Sequence, residues 1–197
     1  KMDIFLRYLH SINDSPGDDS DFIQNSVDSF FLGAEGELTP KLTGTVSFGY
    51  GMRNYENTEI GSENSLLFNA GLNWAWREKT RIALNVNRSF SPSPQDQGML
   101  NTTIGAQLTQ RFTKRVAGTL GANYGISEFS SLEGFGPFSR RSDRTDKRWG
   151  LSMNILSSFT SYLDGRFAYS YVTTESGFGE HLNNDRHLAT FSLIVQY

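Results

Sequence analysis

The sequence predicts an all-β protein, an antiparallel transmembrane β-barrel of the outer-membrane type with about ten strands. Three observations support this prediction: apolar and polar residues alternate along most of the chain, the alternating runs are long, and short and long connections follow one another in strict order. Alternation with period two is the pattern of a strand with one apolar and one polar face. Short turns on one side and long loops on the other are typical of outer-membrane barrels.

The alternating runs divide the chain into about ten segments. Many of them reach the roughly 9–11 residues that a tilted strand needs to cross a bilayer, and exceed the roughly 5–6 residues usual in globular proteins. The predicted strands are 2–13, 22–38, 42–54, 64–77, 80–91, 99–113, 115–129, 145–160, 163–175 and 184–197. Their apolar faces include, in order, Val46, Phe48 and Tyr50; Leu66, Phe68 and Leu72; Ile82, Leu84 and Val86; Ile104 and Leu108; Val116, Leu120 and Tyr124; Leu151, Met153 and Ile155; Phe167, Tyr169 and Tyr171; Phe191, Leu193 and Val195.

The connections are sorted by length. Short turns are predicted at 39–41, 78–79, 113–114 and 162–164, and longer polar loops at 14–21, 55–63, 92–98, 130–144 and 176–183. A soluble sandwich has no reason to sort its loops in this way, whereas an outer-membrane barrel places its short turns in the periplasm. No linker interrupts the pattern, so residues 1–197 are predicted to form a single barrel domain with both ends on the periplasmic side.

Composition excludes several other classes of protein. None of the apolar runs reaches 18 residues, so a transmembrane helix is not predicted. The absence of cysteine excludes disulfides, thiolate metal sites and a catalytic cysteine. A net charge of −3 argues against a protein that binds nucleic acid.

Aromatic residues lie near the ends of the apolar faces, as expected of the two aromatic girdles at the membrane boundaries. The chain also ends in a strand that is apolar on one side, and this tail resembles the C-terminal signal that the barrel insertion machinery reads. An ordinary edge strand of a soluble sheet is the alternative. The girdle candidates are Trp74, Trp76, Phe112, Trp149, Phe159 and Tyr197, and the signal candidates are Phe191, Leu193, Val195 and Tyr197.

Several stretches resemble a known family. They are Thr80-Arg-Ile-Ala-Leu-Asn-Val-Asn-Arg-Ser-Phe, Thr109-Gln-Arg-Phe-Thr-Lys-Arg-Val, Trp149-Gly-Leu-Ser-Met-Asn and Phe167-Ala-Tyr-Ser-Tyr. Over about residues 40–197 the chain resembles the C-terminal part of the putative β-barrel porin 2 family, outer-membrane proteins often associated with exopolysaccharide export. The resemblance implies a pore, and it implies no catalytic residues. Because members of that family are typically longer, a portion of a larger barrel stays an open alternative.

The polar faces are rich in Gly, Ser, Thr, Asn and Ala, which predicts a wide, water-filled lumen. Charged residues with inward parity cluster beside the short turns, where arginine could select anionic solutes because it pairs bidentately with carboxylates and phosphates. The alternative is that these charges pair with one another and solvate the rim. The cluster consists of Arg77, Arg81, Arg111, Arg115, Arg166, Glu35, Glu37 and Asp164, and Arg53 and Arg148 also point inward nearer the long loops.

The predicted function is passage or export of hydrophilic solutes, including polysaccharide, through a barrel in the outer membrane of a Gram-negative bacterium. Two alternatives stay open: a structural or adhesive barrel with a plugged lumen and binding loops, and a barrel hydrolase. Hydrolysis needs a nucleophile, a base and an orienting group, and the scattered His10, His181 and His187 do not supply them, so no enzyme, cofactor or metal is expected. Expected partners are outer-membrane lipid, the insertion machinery and an envelope export or other outer-membrane complex, but no nucleic acid.

Overall fold

The computed structural model describes residues 1–13, 25–55, 62–91, 98–130, 144–177, 179 and 183–195. Within these residues the regular structure is entirely β, and ten antiparallel strands form one sheet in chain order. None of the described residues belongs to a helix long and apolar enough to cross a membrane. The strands are β1 (Met2–Asn13), β2 (Asn25–Thr39), β3 (Leu42–Tyr55), β4 (Ser62–Arg77), β5 (Thr80–Ser91), β6 (Gly98–Arg111), β7 (Val116–Ser130), β8 (Arg144–Ser158), β9 (Leu163–Glu175) and β10 (Asn184–Val195).

Every predicted strand is present, and the differences lie at the ends. The sixth strand stops at Arg111 instead of residue 113, because Thr113 begins a turn in which its hydroxyl accepts hydrogen bonds from the backbone N–H of Arg115 (3.1 Å) and of Val116 (3.0 Å). Thr160 has the same role in the turn after β8. Short hydroxyl side chains stabilise turns in this way. The alternation of apolar and polar residues does not predict such turns.

The sheet has one apolar face. Directly opposed residues of an antiparallel pair share a face, so a row of side chains can be followed from strand to strand. One such row is Ile4, Ala34, Val46, Ala70, Val86, Ile104, Tyr124 and Trp149. Ile4 is 81% exposed and Phe48, on the same face, 69%. Soluble monomers rarely leave so large an apolar surface in water. We call this the outer face and the opposite one the inner face.

The strands are tilted as in a membrane barrel. A row perpendicular to the strands joins Gly44, two residues past the start of β3, to Tyr171, eight residues past the start of β9. The register therefore shifts by about one residue per strand. With a rise of about 3.3 Å per residue and about 4.8 Å between strands, this stagger corresponds to a tilt of about 35°. The short turns then lie at one level of the membrane.

β1 and β10 form the two edges of the sheet, and among the described residues no ladder joins them. The first ladder depends on one glycine. Gly36 has a φ of 154°, and a Cβ atom there would collide with the carbonyl oxygen of Lys1. That carbonyl accepts a 3.0 Å hydrogen bond from the N–H of Glu37. Glycine therefore permits the close approach of β1 and β2 at their short-turn ends.

Candidate functional site

The inner face of β6–β10 contains a groove, and none of the described residues that line it is charged. It encloses a cavity of about 290 Å³. Hydroxyl and amide groups can both donate and accept hydrogen bonds, so this surface can replace the water shell of a neutral polar solute. Its polar lining consists of Gln107, Thr119, Ser152, Asn154, Ser170 and Thr190.

A second cavity continues this surface toward the short turns of β3–β6. Its volume is about 370 Å³, and Gln107 lines both cavities. The hydroxyl of Thr109, which lines the second cavity, lies 3.3 Å from the hydroxyl of Thr119, which lines the first. Arg81 lines this second cavity together with Asn73. Arg81, one of the candidate arginines, therefore lies in the groove.

The remaining charged candidates are distributed along the short-turn half of the inner face. Glu35 and Glu37 end β2, Arg111 ends β6, and Asp164 and Arg166 begin β9, all in rows that belong to the inner face. Within the described part of the chain, no ion pair of 4.0 Å or less joins Arg81, Arg111 or Arg166 to Glu35 or Glu37. The structure thus spaces these charges around the rim.

Two of the candidate arginines lie elsewhere. A register shift after Trp74 places Arg77 opposite Thr80, which belongs to a row of the outer face, and its guanidinium carbon lies 4.8 Å from the ring centroid of Trp76. Arg115 lies in the turn before β7, where its carbonyl oxygen accepts a hydrogen bond from the N–H of Ser158. Alternation predicts inward parity for both, but it does not hold through a bulge or a turn.

The aromatic candidates lie on the outer surface at two levels. Trp74 and Trp76 are half-exposed beside the short turns, with ring centroids 6.0 Å apart. Phe112 and Phe159 are half-exposed at the same level. Trp149 lies at the long-loop level, 4.2 Å from the ring of Tyr124. The exposed outer residues of β10 include Phe191, Leu193 and Val195, and Tyr197 lies outside the described residues.

The long-loop half of β2–β6 is packed instead of open. Arg53 of β3 is only 2% exposed although it belongs to the inner face. Its Nη2 atom donates to the carbonyl oxygens of Ser91 (3.0 Å) and Met99 (3.4 Å), and its Cζ atom lies 4.5 Å from the ring centroid of Phe90. Its Nη1 atom lies 3.6 Å from a carboxylate oxygen of Glu63. Sequence alternation identifies Arg53 as inward but gives no sign of these contacts.

The contacts of Arg53 arise because β5 separates from β4. Their ladder ends at the pair Phe68 and Arg88, although the β5–β6 ladder continues to Ser91 and Met99. We call residues 88–91 and 99–102 the hairpin end. Phe90 has the parity of the outer face, yet its ring reaches the inner face, where a Cβ atom on Gly51 would lie 2.9 Å from it. The hairpin end therefore folds inward across β4.

The two histidines within the described residues lie on the outer face. His10 Nδ1 lies 2.7 Å from Oδ1 of Asp28, which also accepts a 2.6 Å hydrogen bond from the Tyr8 hydroxyl. His187 Nδ1 lies 2.8 Å from the Tyr169 hydroxyl. No cluster of three or more metal-ligating side chains occurs in the described residues. His181 lies outside them.

Comparison with known proteins places the sheet in one family. The family model described as "Putative beta-barrel porin 2" matches residues 18–197. Among curated proteins, none is significantly similar to this chain in sequence. The family match and the ten antiparallel strands confirm the prediction of an antiparallel β-barrel fold.

Proposed function

Because the chain belongs to the putative β-barrel porin 2 family, we propose that its sheet is the wall of a bacterial outer-membrane pore through which hydrophilic solutes pass. A role of the pore type follows from the family, and the nature of the solute is the proposal. The observation that supports it is the difference between the two faces. The outer face is apolar across ten strands, and the inner face carries a continuous polar groove.

The inner groove favours a neutral, hydroxyl-rich solute such as a polysaccharide chain. Its polar lining residues carry hydroxyl and amide groups that can exchange hydrogen bonds with sugar hydroxyls without holding a fixed charge. Weak, multiple contacts of this kind allow a solute to enter and to leave. Passage would be passive diffusion along the groove, with the arginines of the rim contributing a secondary preference for anions.

A plugged barrel is the second candidate, and the inward hairpin end favours it. The Phe90 ring lies against Arg53 on the inner face, in space that would otherwise belong to the lumen. In such a barrel the long loops would bind a partner and the lumen would not conduct. Conduction across a membrane distinguishes the two candidates directly.

The proposal includes a location and partners. Outer-membrane lipid would cover the outer face, and the insertion machinery would engage β10 through Phe191, Leu193 and Val195. An envelope export complex is the partner expected if polysaccharide is the cargo. Catalysis is not part of the proposal, because the described histidines face outward and contact Asp28 and Tyr169 instead of a nucleophile in the groove.

Swelling of liposomes in oligosaccharides of increasing length tests the proposal. Liposomes that contain the protein should admit sugars that empty liposomes exclude. The variant Ser152→Trp should slow entry, because it places an indole in the polar groove. Its matched control, Leu151→Trp, adds the same ring to the exposed outer face one residue away and should admit sugars at the wild-type rate. Folded protein that admits no sugar and no ions would refute the pore.

A further inference from the structure

The packing around Arg53 has two features that oppose each other. The hairpin end is held inward by the bonds from Arg53 to the carbonyls of Ser91 and Met99 and by the Phe90 ring, which lies against Arg53. Against this, among the described residues Nε and Nη1 of Arg53 are buried without a hydrogen bond, and Nη1 has a long ion pair of 3.6 Å with Glu63. Burying the donors of a charged group without full hydrogen bonding is costly. Movement of the hairpin end would return them to water.

The register of the sheet allows a second arrangement of the hairpin end. The β4–β5 ladder stops at the pair Phe68 and Arg88. If it continued in the same register, the next outer pair would be Leu66 and Phe90. Leu66 is 72% exposed on the outer face and faces no partner from β5 in the described ladder. Phe90 would then join it in lipid, as its parity requires.

The inward arrangement also needs a particular residue on β3. A Cβ atom on Gly51 would lie 2.7 Å from Leu67 Cδ1 and 2.9 Å from Phe90 Cε2. Glycine therefore leaves the space that the Phe90 ring occupies. Gly51 leaves space for the Phe90 ring on the inner face, and the exposed Leu66 can pack against the ring on the outer face. The sheet can therefore hold Phe90 in either position.

We propose that the hairpin end is a gate of the pore, closed when Phe90 lies on Gly51 and Arg53 and open when β5 pairs with β4 beyond Phe68 and Arg88. Arg53 is the latch that favours the closed state. Closing places two strand ends across the inner face, and opening returns them to the barrel wall. This inference rests on the proposed pore function, and it identifies the step that regulates passage.

A disulfide that can form only in the open state tests the gate. The chain has no cysteine, so engineered pairs are the only thiols present. Directly opposed residues of antiparallel strands have Cβ atoms about 4.5–5.5 Å apart, close enough for a disulfide after small adjustments. The Leu66→Cys/Phe90→Cys pair should therefore cross-link in membranes and raise conductance in planar bilayers, and a reductant should reverse the increase. The matched control is Ala70→Cys/Val86→Cys, which pairs on the outer face in both states and should cross-link without changing conductance.

Removal of the latch provides an independent measurement. Arg53→Met keeps the length of the side chain but loses two hydrogen bonds from a charged donor, so the ratio of open to closed time should rise at least about tenfold. Arg148→Met removes an exposed arginine of the inner face on β8, three strands from β5 and two from β6 along the sheet, and it should leave that ratio unchanged. Failure of the Leu66→Cys/Phe90→Cys pair to cross-link where the control pair does, or cross-linking without a change in conductance while the wild type conducts, would overturn the gate. A protein that cross-links but never conducts would instead refute the pore.

Discussion

The inner face has two regions that are built from similar residues and packed in opposite ways. In β2 and β3, aromatic rings cover two glycines: Phe5 covers Gly33, and Phe31 covers Gly49. In β7 and β8, polar side chains cover two others: the hydroxyl of Ser152 lies over Gly121, and the amide of Asn123 lies over Gly150. Small residues therefore do not by themselves make an open lumen. What matters is the side chain that a neighbouring strand extends over each glycine.

The consequence for packing is clear in the buried residues. Within the described part of the chain, the buried hydrophobic side chains are Val27, Tyr55, Leu67 and Leu100. All four belong to the β2–β6 half, close to Arg53 and the hairpin end. The β6–β10 half keeps its inner surface open around the polar groove. The long-loop end of β2–β6 thus supplies a core, and the inner face of β6–β10 supplies a path that continues along the short-turn ends of β3–β6.

The largest effect that the comparison predicts is on core leucines. Leu67→Ala should lower the free energy of unfolding by about 2–5 kcal/mol, because a nearly fully buried side chain leaves a cavity. Leu188→Ala removes the same side chain from the inner face of β10, where it is 55% exposed, and should cost less than about 1 kcal/mol. Urea titration of protein folded in lipid vesicles measures both. Equal losses would show that the two regions are packed alike.

A smaller effect should distinguish two glycines of neighbouring strands. Gly51→Ala places a methyl group 2.7 Å from Leu67 Cδ1 and should cost about 1–3 kcal/mol through overpacking. Gly71→Ala, in contrast, meets no atom within 4 Å and should stabilise the strand by about 0.5 kcal/mol. The same urea titrations provide the values. If both substitutions were neutral, the close contact of Phe90 and Leu67 with Gly51 would not exist in the folded protein.

The sequence predicts the sheet well because each strand has an apolar outer face and a more polar inner face, so apolar and polar residues alternate along it. The prediction is weaker where that contrast ends, as at Thr113, whose hydroxyl caps a turn. It does not anticipate the environment of Arg53. Glu63 lies directly opposite Arg53 on β4, but the carbonyls that Arg53 binds and the Phe90 ring lie on β5 and β6, beyond β4. Phe90 reaches Arg53 only by leaving the face that its parity assigns. Alternation predicts the face on which each residue of a strand lies. It does not predict contacts between strands that are not neighbours in the sheet.

The smallest predicted effect concerns the charged rim of the open region. Arg81 and Arg111 occupy neighbouring strands of the inner face, and neither has an ion-pair partner within 4.0 Å among the described residues. Replacing both with Ala should move the reversal potential in a salt gradient away from anion preference. The change in permeability ratio should stay below about twofold at 0.1 M salt, where charges are screened beyond about 10 Å.

The matched control is Arg115→Ala, which removes the same charge from the turn before β7, away from the inner rows. Its reversal potential should equal that of the wild type. An unchanged potential in the Arg81→Ala/Arg111→Ala variant would mean that these arginines only solvate the rim. A shift of equal size in Arg115→Ala would mean that the net charge of the short-turn end, and not the wall of the groove, produces the preference. Only a shift confined to the Arg81→Ala/Arg111→Ala variant would show that charged residues of the inner face select the ions that pass.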